Sequence, residues 1–272
     1  MRENRLLEIW KSGGYAVNGW LHLSSSFAAE VMAHQGWDSL TIDLQHGLID
    51  YQAAVTMLQA ISTTSVVPTA RVPWNDPAII MKMLDAGCYG IICPMINTRA
   101  EAEAFVGACR YPPRGYRSFG PTRATIYAGS DYPEEANRQM IAMAMVETGQ
   151  AVENIDEILS VPGLDAIYIG PADLSQSMGG SERSDPVEPR LVAALDTILA
   201  AARRHGVVSG IHCGSPSYAA RMVDKGAQFV TVLSDWRLMA AASRTTIAAI
   251  HDGVGRETHS EQTASTRGGE DD

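Results

Sequence analysis

Glu147 ends the apolar run AMAMV, and Asp173 sits in the turn IGPADLS that closes a second apolar run. Two carboxylates delivered this way are hard oxygen donors. So small a donor set suits Mg²⁺ or Mn²⁺, with Co²⁺ a further candidate, because the rest of the shell comes from water and substrate. A plainer alternative is that both acids cap helices or pair on the surface. Arg71 closes VVPTAR, where a permanently charged planar fork suits a carboxylate or a developing oxyanion. Its alternative is a structural pairing with Asp43 or Asp85. His46 stands in IDLQHGLID, three residues after Asp43, and an imidazole held in one tautomer by a carboxylate is the usual general base near neutral pH. Trp20 and His22, His212, and Ser234 and Asp235 follow three further apolar runs.

The same inspection disfavours other chemistries. Lys11, Lys82 and Lys225 are the only lysines, and each falls in a helical stretch, whereas imine catalysis needs a desolvated lysine inside a site. The segments HCGSPS and LSDWR lack the glycine-rich turn that holds phosphate in many barrels, so a phosphorylated substrate is not expected.

Side chains at the ends of apolar runs converge only if those runs are parallel strands. Eight candidates alternate with helical patterns: Tyr15–His22, Ser39–Asp43, Val66–Arg71, Tyr89–Cys93, Ala142–Val146, Ala166–Ile169, Val207–Ile211 and Phe229–Leu233. Helices are expected near Ser26–Gln35, Tyr51–Ile61, Pro77–Ala86, Arg99–Cys109, Val152–Leu159, Pro189–His205, Ser217–Lys225 and Trp236–His251. A count of eight and the lack of a GxGxxG turn after the first strand decide for an α/β (β/α)8 TIM barrel over a doubly wound sheet, with an N-terminal helix preceding it. The expected organisation is one catalytic domain over residues 1–252 and a disordered tail over 253–272. One stretch, Tyr111–Gln139, breaks the rhythm, and an insertion of that length is usually functional or an interface element.

Bulk properties narrow the partners. The 272 residues are 46% hydrophobic with a net charge of −10, and no block of Lys and Arg is present to grip a phosphate backbone, so nucleic acid is excluded as an expectation. Cys88, Cys93, Cys109 and Cys213 form no CxxC pair, which argues against structural zinc or a disulfide framework. The charged N-terminus lacks a signal-peptide pattern and no run approaches a membrane span, making the expected location cytoplasmic.

At these residues the sequence resembles the HpcH/HpaI family, the class II pyruvate-dependent aldolases that include 4-hydroxy-2-oxoheptanedioate and 2-keto-3-deoxy-L-rhamnonate aldolases. The likeness is carried by GWDSLTIDLQHG, TARVPWNDP, YPPRGYRSFGP, VETGQAVENIDEIL and GLDAIYIGPADLS. It implies that Glu147 and Asp173 ligate the metal, that His46 is the base, and that Asp43 and Asp85 support it. Arg71 would hold the pyruvate oxygen, and backbone N–H groups around Pro171, Ala172 and Asp173, in the substrate-binding turn that begins at Gly170, would take the pyruvate carboxylate. Arg117 and Arg123 resemble basic residues lent to a neighbouring subunit within a homohexamer, a trimer of dimers. His212 would help to shape the acceptor pocket, and Trp20 would pack near the acceptor or belong to the core.

The implied activity is reversible cleavage of a 4-hydroxy-2-oxo acid to pyruvate, or hydroxypyruvate, and an aldehyde. DLQHG departs from the acidic residue and the Ala-Pro that flank the histidine in the best-known members, which bears on the aldehyde rather than on the metal chemistry. Two other readings stand beside it: a CoA-ester lyase of the citramalyl or malyl type, for which no pantetheine site is recognisable, and a non-catalytic ligand-binding barrel.

Overall fold

A computed structural model describes residues 1–181 and 184–254. The chain divides into two compact units, Met1–Asp235 and Trp236–Asp272. Among the described residues of the first unit, eight parallel strands close into a barrel in sequence order: β1 (Ala16–Leu21), β2 (Ser39–Asp43), β3 (Val67–Arg71), β4 (Gly90–Cys93), β5 (Ile141–Val146), β6 (Ala166–Ile169), β7 (Val208–Cys213) and β8 (Phe229–Val232). Every strand is almost wholly buried, as expected where helices cover the outside and side chains fill the inside.

The helices are α1 (Arg5–Lys11), α2 (Ser26–Ala33), α3 (Tyr51–Ile61), α4 (Pro77–Asp85), α5 (Arg99–Cys109), α6 (Thr122–Ala128), α7 (Tyr132–Gln139), α8 (Gly149–Glu153), α9 (Ile155–Leu159), α10 (Pro171–Ser177), α11 (Pro189–His205), α12 (Pro216–Asp224) and α13 (Asp235–Gly253). Their starts are written locally. Asp50, Asp76, Thr98, Thr148 and Ser215 each accept a first-turn N–H through the side chain, satisfying donors that have no partner within the helix. In the second unit, α13 presents Trp236, Met239, Ile247 and Ile250 as exposed apolar side chains. The expected tail over 253–272 lies outside the described residues beyond Val254.

The two-residue period of each strand sorts side chains between the barrel interior and the helices. Inside, a polar layer crosses the axis: Asn18 donates to Thr231 Oγ1 at 2.9 Å and accepts from Ser39 and Thr41, while Thr41 and Thr69 share a bond of 2.8 Å. All five are buried. Replacing Asn18 by leucine would strand these partners at about 1–3 kcal/mol each. Above this layer, two residues further along each strand, come the side chains of the mouth.

The stretch Tyr111–Gln139, which periodicity leaves unassigned, folds around a buried guanidinium. Arg117 lies over the rings of Tyr111 and Tyr132, at 4.4 Å and 5.6 Å, and donates to Asp85 Oδ1 at 2.7 Å. Its two short helices, α6 and α7, lack side-chain caps, which is why local signals miss them.

Candidate active site

Alternation along β1 and β2 aims Trp20 and Asp43 into the mouth, and the pairing of Asp43 with Arg71 between β2 and β3 sets the guanidinium beside the carboxylate. Arg71 forks onto Asp43, Nε to Oδ1 at 2.9 Å and Nη2 to Oδ2 at 2.6 Å. Trp20 Nε1 donates to Oδ2 at 3.1 Å, and the backbone N–H groups of Gln45 and His46 donate to Oδ1 at 3.0 Å and 3.3 Å. His22 Nε2 stands 2.7 Å from Oδ2. Burial alone would raise the Asp43 carboxyl, but the contacts with His22 and Arg71 override it and hold the group well below the usual carboxylate range. The structural pairing weighed for Arg71 is therefore present, and it sits at the mouth.

Asp43 meets His46 through the backbone, and the exposed His46 imidazole has no hydrogen-bond partner among the described residues. The turn that carries it is tight: a Cβ on Gly47 would lie 2.2 Å from the Asp43 carbonyl oxygen, so only glycine fits. Asp85 is not beside His46 in the single chain. It closes α4, which runs back from the end of β3 toward the start of β4, and its carboxylate serves Arg117. Arg123 donates to the carbonyls of Ala86 and Leu58 and to Ser62 Oγ.

Across the mouth the electrostatics reverse. Glu147 follows β5, is 2% exposed, and accepts the Met95 N–H at 2.8 Å. Met95 has φ 56, a left-handed conformation uncommon for a residue with a side chain. That strain lies where its N–H meets the carboxylate, and such strain persists only where surrounding structure enforces it. Burial and the negative charge of Asp173 push the Glu147 carboxyl up to about 7, against the Met95 bond and the Arg71 charge. The segment VETGQAVEN has a mechanical reading as well. Thr148 caps α8 and bonds Asn97, whose carbonyl accepts from Asn154 at 2.8 Å, so the end of β5 is tied to the loop after β4.

Gly170, Pro171 and Ala172 open α10, which starts without a side-chain cap. A Cβ on Gly170 would stand 2.6 Å from Glu147 Oε2, so the turn is shaped to leave that oxygen room. Among the described residues no group of three or more His, Cys, Asp and Glu gathers as a metal cluster. The donor set is thus two carboxylates that repel each other, one of them nearly dry. That arrangement fits an ion which neutralises the pair and takes its remaining ligands from water and substrate.

The remaining arc of the mouth is aromatic and imidazole. His212, expected just after the Val207–Ile211 strand, lies within β7, its Nδ1 3.2 Å from Tyr168 Oη. Trp20 stacks on Tyr168 with centroids 5.5 Å apart, meets His212 edge-on at 5.4 Å, and lies under the Arg71 guanidinium at 4.9 Å. Sequence reading gave no role to Tyr168, Met95 or His22. Tyr168 was recoverable, being next to the last residue of β6 and two before Gly170. The lysines lie away from strand ends: Lys11 in α1, Lys82 in α4 over the Tyr51 ring, and Lys225 just after α12, paired with Asp196.

Comparison with known proteins agrees with this geometry. Over residues 18–242 the chain matches the model of a family described as HpcH/HpaI aldolase/citrate lyase. It is 42% identical over 245 residues to a hydroxypyruvate/pyruvate aldolase of Rhizorhabdus wittichii, covering 90% of this chain and 98% of that one. It is 37% identical over 249 residues to a 4-hydroxy-2-oxo-heptane-1,7-dioate aldolase of Escherichia coli, covering 90% and 94%. A crystal structure of a family protein from Burkholderia cenocepacia superposes with a TM-score of 0.86 at 30% identity, covering 91% of this chain and 99% of the other. The family match over residues 18–242 and the relatives' identity over most of their length show that the chain belongs to the HpcH/HpaI aldolase/citrate lyase family.

Proposed function

We propose that this chain is a class II, divalent-metal-dependent aldolase that reversibly cleaves 4-hydroxy-2-oxo acids to pyruvate, or hydroxypyruvate, and an aldehyde. The observation that carries the reading is the pairing of a buried, destabilised Glu147 with Asp173 across the mouth from the Arg71–Asp43 fork. The names of the relatives support both donors.

Glu147 and Asp173 would hold Mg²⁺, Mn²⁺ or Co²⁺, and a bound cation would polarise the ketone of a chelated 2-oxo acid and make its methyl protons acidic. The chain's own residues do the rest. Backbone N–H groups of Ala172 and Asp173, at the uncapped start of α10, receive the substrate carboxylate. Arg71 spends Nε and Nη2 on Asp43, and its Nη1, which has no partner among the described residues, binds the oxygen on which negative charge develops. The His46 imidazole takes the methyl proton in synthesis and returns it to the same carbon in cleavage. Trp20 and His212 wall the acceptor side.

Because one chain does not bring Asp85 to His46, we assign their partnership to two subunits of a homo-oligomer, a hexamer by the resemblance. Exposed Phe119 and Ile126 beside Arg117 and Arg123 support the insertion as the surface a second copy covers. No helix among the described residues is long and apolar enough to cross a membrane, and we assign the protein to the cytoplasm.

Chelation tests the reading directly. Cleavage of 4-hydroxy-2-oxoheptane-1,7-dioate should vanish with EDTA and return with Mg²⁺ or Mn²⁺, and borohydride with pyruvate should label no lysine. Activity that persists without metal, or a labelled lysine, would sink it.

A further inference from the structure

Three histidines stand around one mouth, and one of them, His22, places its imidazole against the Asp43 carboxylate. Trp20 lies on β1 and His22 directly follows the strand's last residue, Leu21. The backbone of His22 is held on both sides: its N–H donates to Asp235 Oδ1 at 3.0 Å, and its carbonyl accepts from Leu48 at 2.9 Å. The Leu23 N–H takes the other Asp235 oxygen at 3.1 Å. Its Nε2 lies 2.7 Å from Asp43 Oδ2, the oxygen that also meets Arg71 and Trp20, while the side chain remains 24% exposed at the rim.

The positions around the mouth divide the labour. Donor-binding groups follow β3, β5 and β6. The arc from β7 through β8 to β1 carries His212, Ser234, Trp20 and His22, and this arc is left for the acceptor. His212 meets a neutral phenol, Tyr168. An imidazole that must hold a proton transiently needs a carboxylate to fix its tautomer and stabilise its cation, and His22 has one.

We propose that His22 is the acid–base residue for the aldehyde oxygen, distinct from His46, which serves the methyl carbon. This rests on the aldolase reading above. In cleavage, neutral His22 accepts the proton of the C4 hydroxyl as the C3–C4 bond breaks. The O–H pair forms the aldehyde carbonyl, and the C3–C4 pair moves into the enolate. C3 then takes a proton from protonated His46, His22 releases its proton to water, and His46 recovers one from water. Synthesis runs the same transfers backwards.

Two reactions of the metal-loaded enzyme separate the roles. Exchange of pyruvate methyl protons with D₂O needs no aldehyde and reports the donor half alone, whereas cleavage of 4-hydroxy-2-oxoheptane-1,7-dioate needs both halves. His22→Gln retains a donor toward Asp43 but not proton transfer, and His22→Asn provides a second, smaller variant. Cleavage should fall by about 10²–10³-fold in both, with methyl exchange close to wild type. If exchange falls in step with cleavage, His22 only braces Asp43 and Arg71 and the proposal is wrong; if cleavage is unchanged, it is equally wrong. A wild-type enzyme that neither exchanges nor cleaves would instead overturn the aldolase reading, an outcome distinguishable because no variant enters it.

Discussion

Asp43 and Glu147 are equally dry carboxyls on opposite sides of one barrel mouth, yet their protonation is driven in opposite directions. Asp43 collects a bidentate guanidinium, an imidazole, an indole N–H and two backbone N–H groups, and stays ionised. Glu147 has one backbone N–H and an acidic neighbour, and its carboxyl rises to about 7. Burial is common to both, so partners decide. The first carboxylate is a finished hub that fixes Arg71 and His22, whereas the second lacks a counter-charge of its own among the described residues, which suits the metal-ligand role proposed for it.

The widest breach of this contrast should come from Glu147→Gln, which keeps shape but removes a ligand charge: turnover should drop by about 10³-fold or more, with folding intact by circular dichroism. Near-normal turnover would mean that Glu147 holds no metal. Arg71→Ala comes next. It should cut kcat by about 10²–10³-fold and, unlike the Glu147 variant, destabilise the fold by about 3–5 kcal/mol, because Asp43 is left buried without its main counter-charge. Urea unfolding separates the two effects, and unchanged stability would show that Asp43 is not the hub described.

Partnership across subunits predicts a subtler result. His46→Asn and Asp85→Asn should each be nearly inactive alone, but mixed and reassembled oligomers should regain cleavage, since some sites then combine an intact His46 with an intact Asp85. No recovery after confirmed subunit exchange would place the two residues in separate roles.

The smallest effect concerns pH. In metal-free protein the Glu147 carboxyl is raised from 4.5 to about 7. The folded state therefore binds more protons there, and this contribution, present in full below 4.5, is lost as pH climbs through about 7, to the extent of about 3 kcal/mol. Asp43 has the opposite sign: its contribution is present above 3.8 and lost as pH falls below it. Melting temperatures of metal-free enzyme should thus decline between pH 4.5 and 7, and Glu147→Gln should flatten that decline. A flat wild-type profile would remove the contrast with which this comparison began.

Much of the barrel was legible. Seven strands match the expected runs to within one residue at either end, and β7 runs two residues further than expected, through His212 and Cys213, to the mouth. Helices α3, α5 and α11 coincide with their periodic patterns because each carries an apolar stripe between recognisable starts and stops. The stretch expected as one helix over Val152–Leu159 is two, α8 and α9, broken at Asn154, whose side chain turns to the Asn97 carbonyl instead of the surface. Short α6, α7 and α10 escaped because a single turn or two carries too little periodicity to stand above its surroundings.

By itself the sequence determined the alternation of strands and helices and the identity of the chemical groups: two acids at adjacent strand ends, one arginine closing a third, and no lysine among them. Periodicity and residue type are local properties, and local properties can be read along a chain. Tertiary structure alone decided that His22 meets Asp43, that Asp43 is saturated while Glu147 is not, and that Asp85 turns to Arg117. Those outcomes depend on which strands become neighbours and on how far each side chain reaches across a closed barrel, distances that no linear spacing encodes.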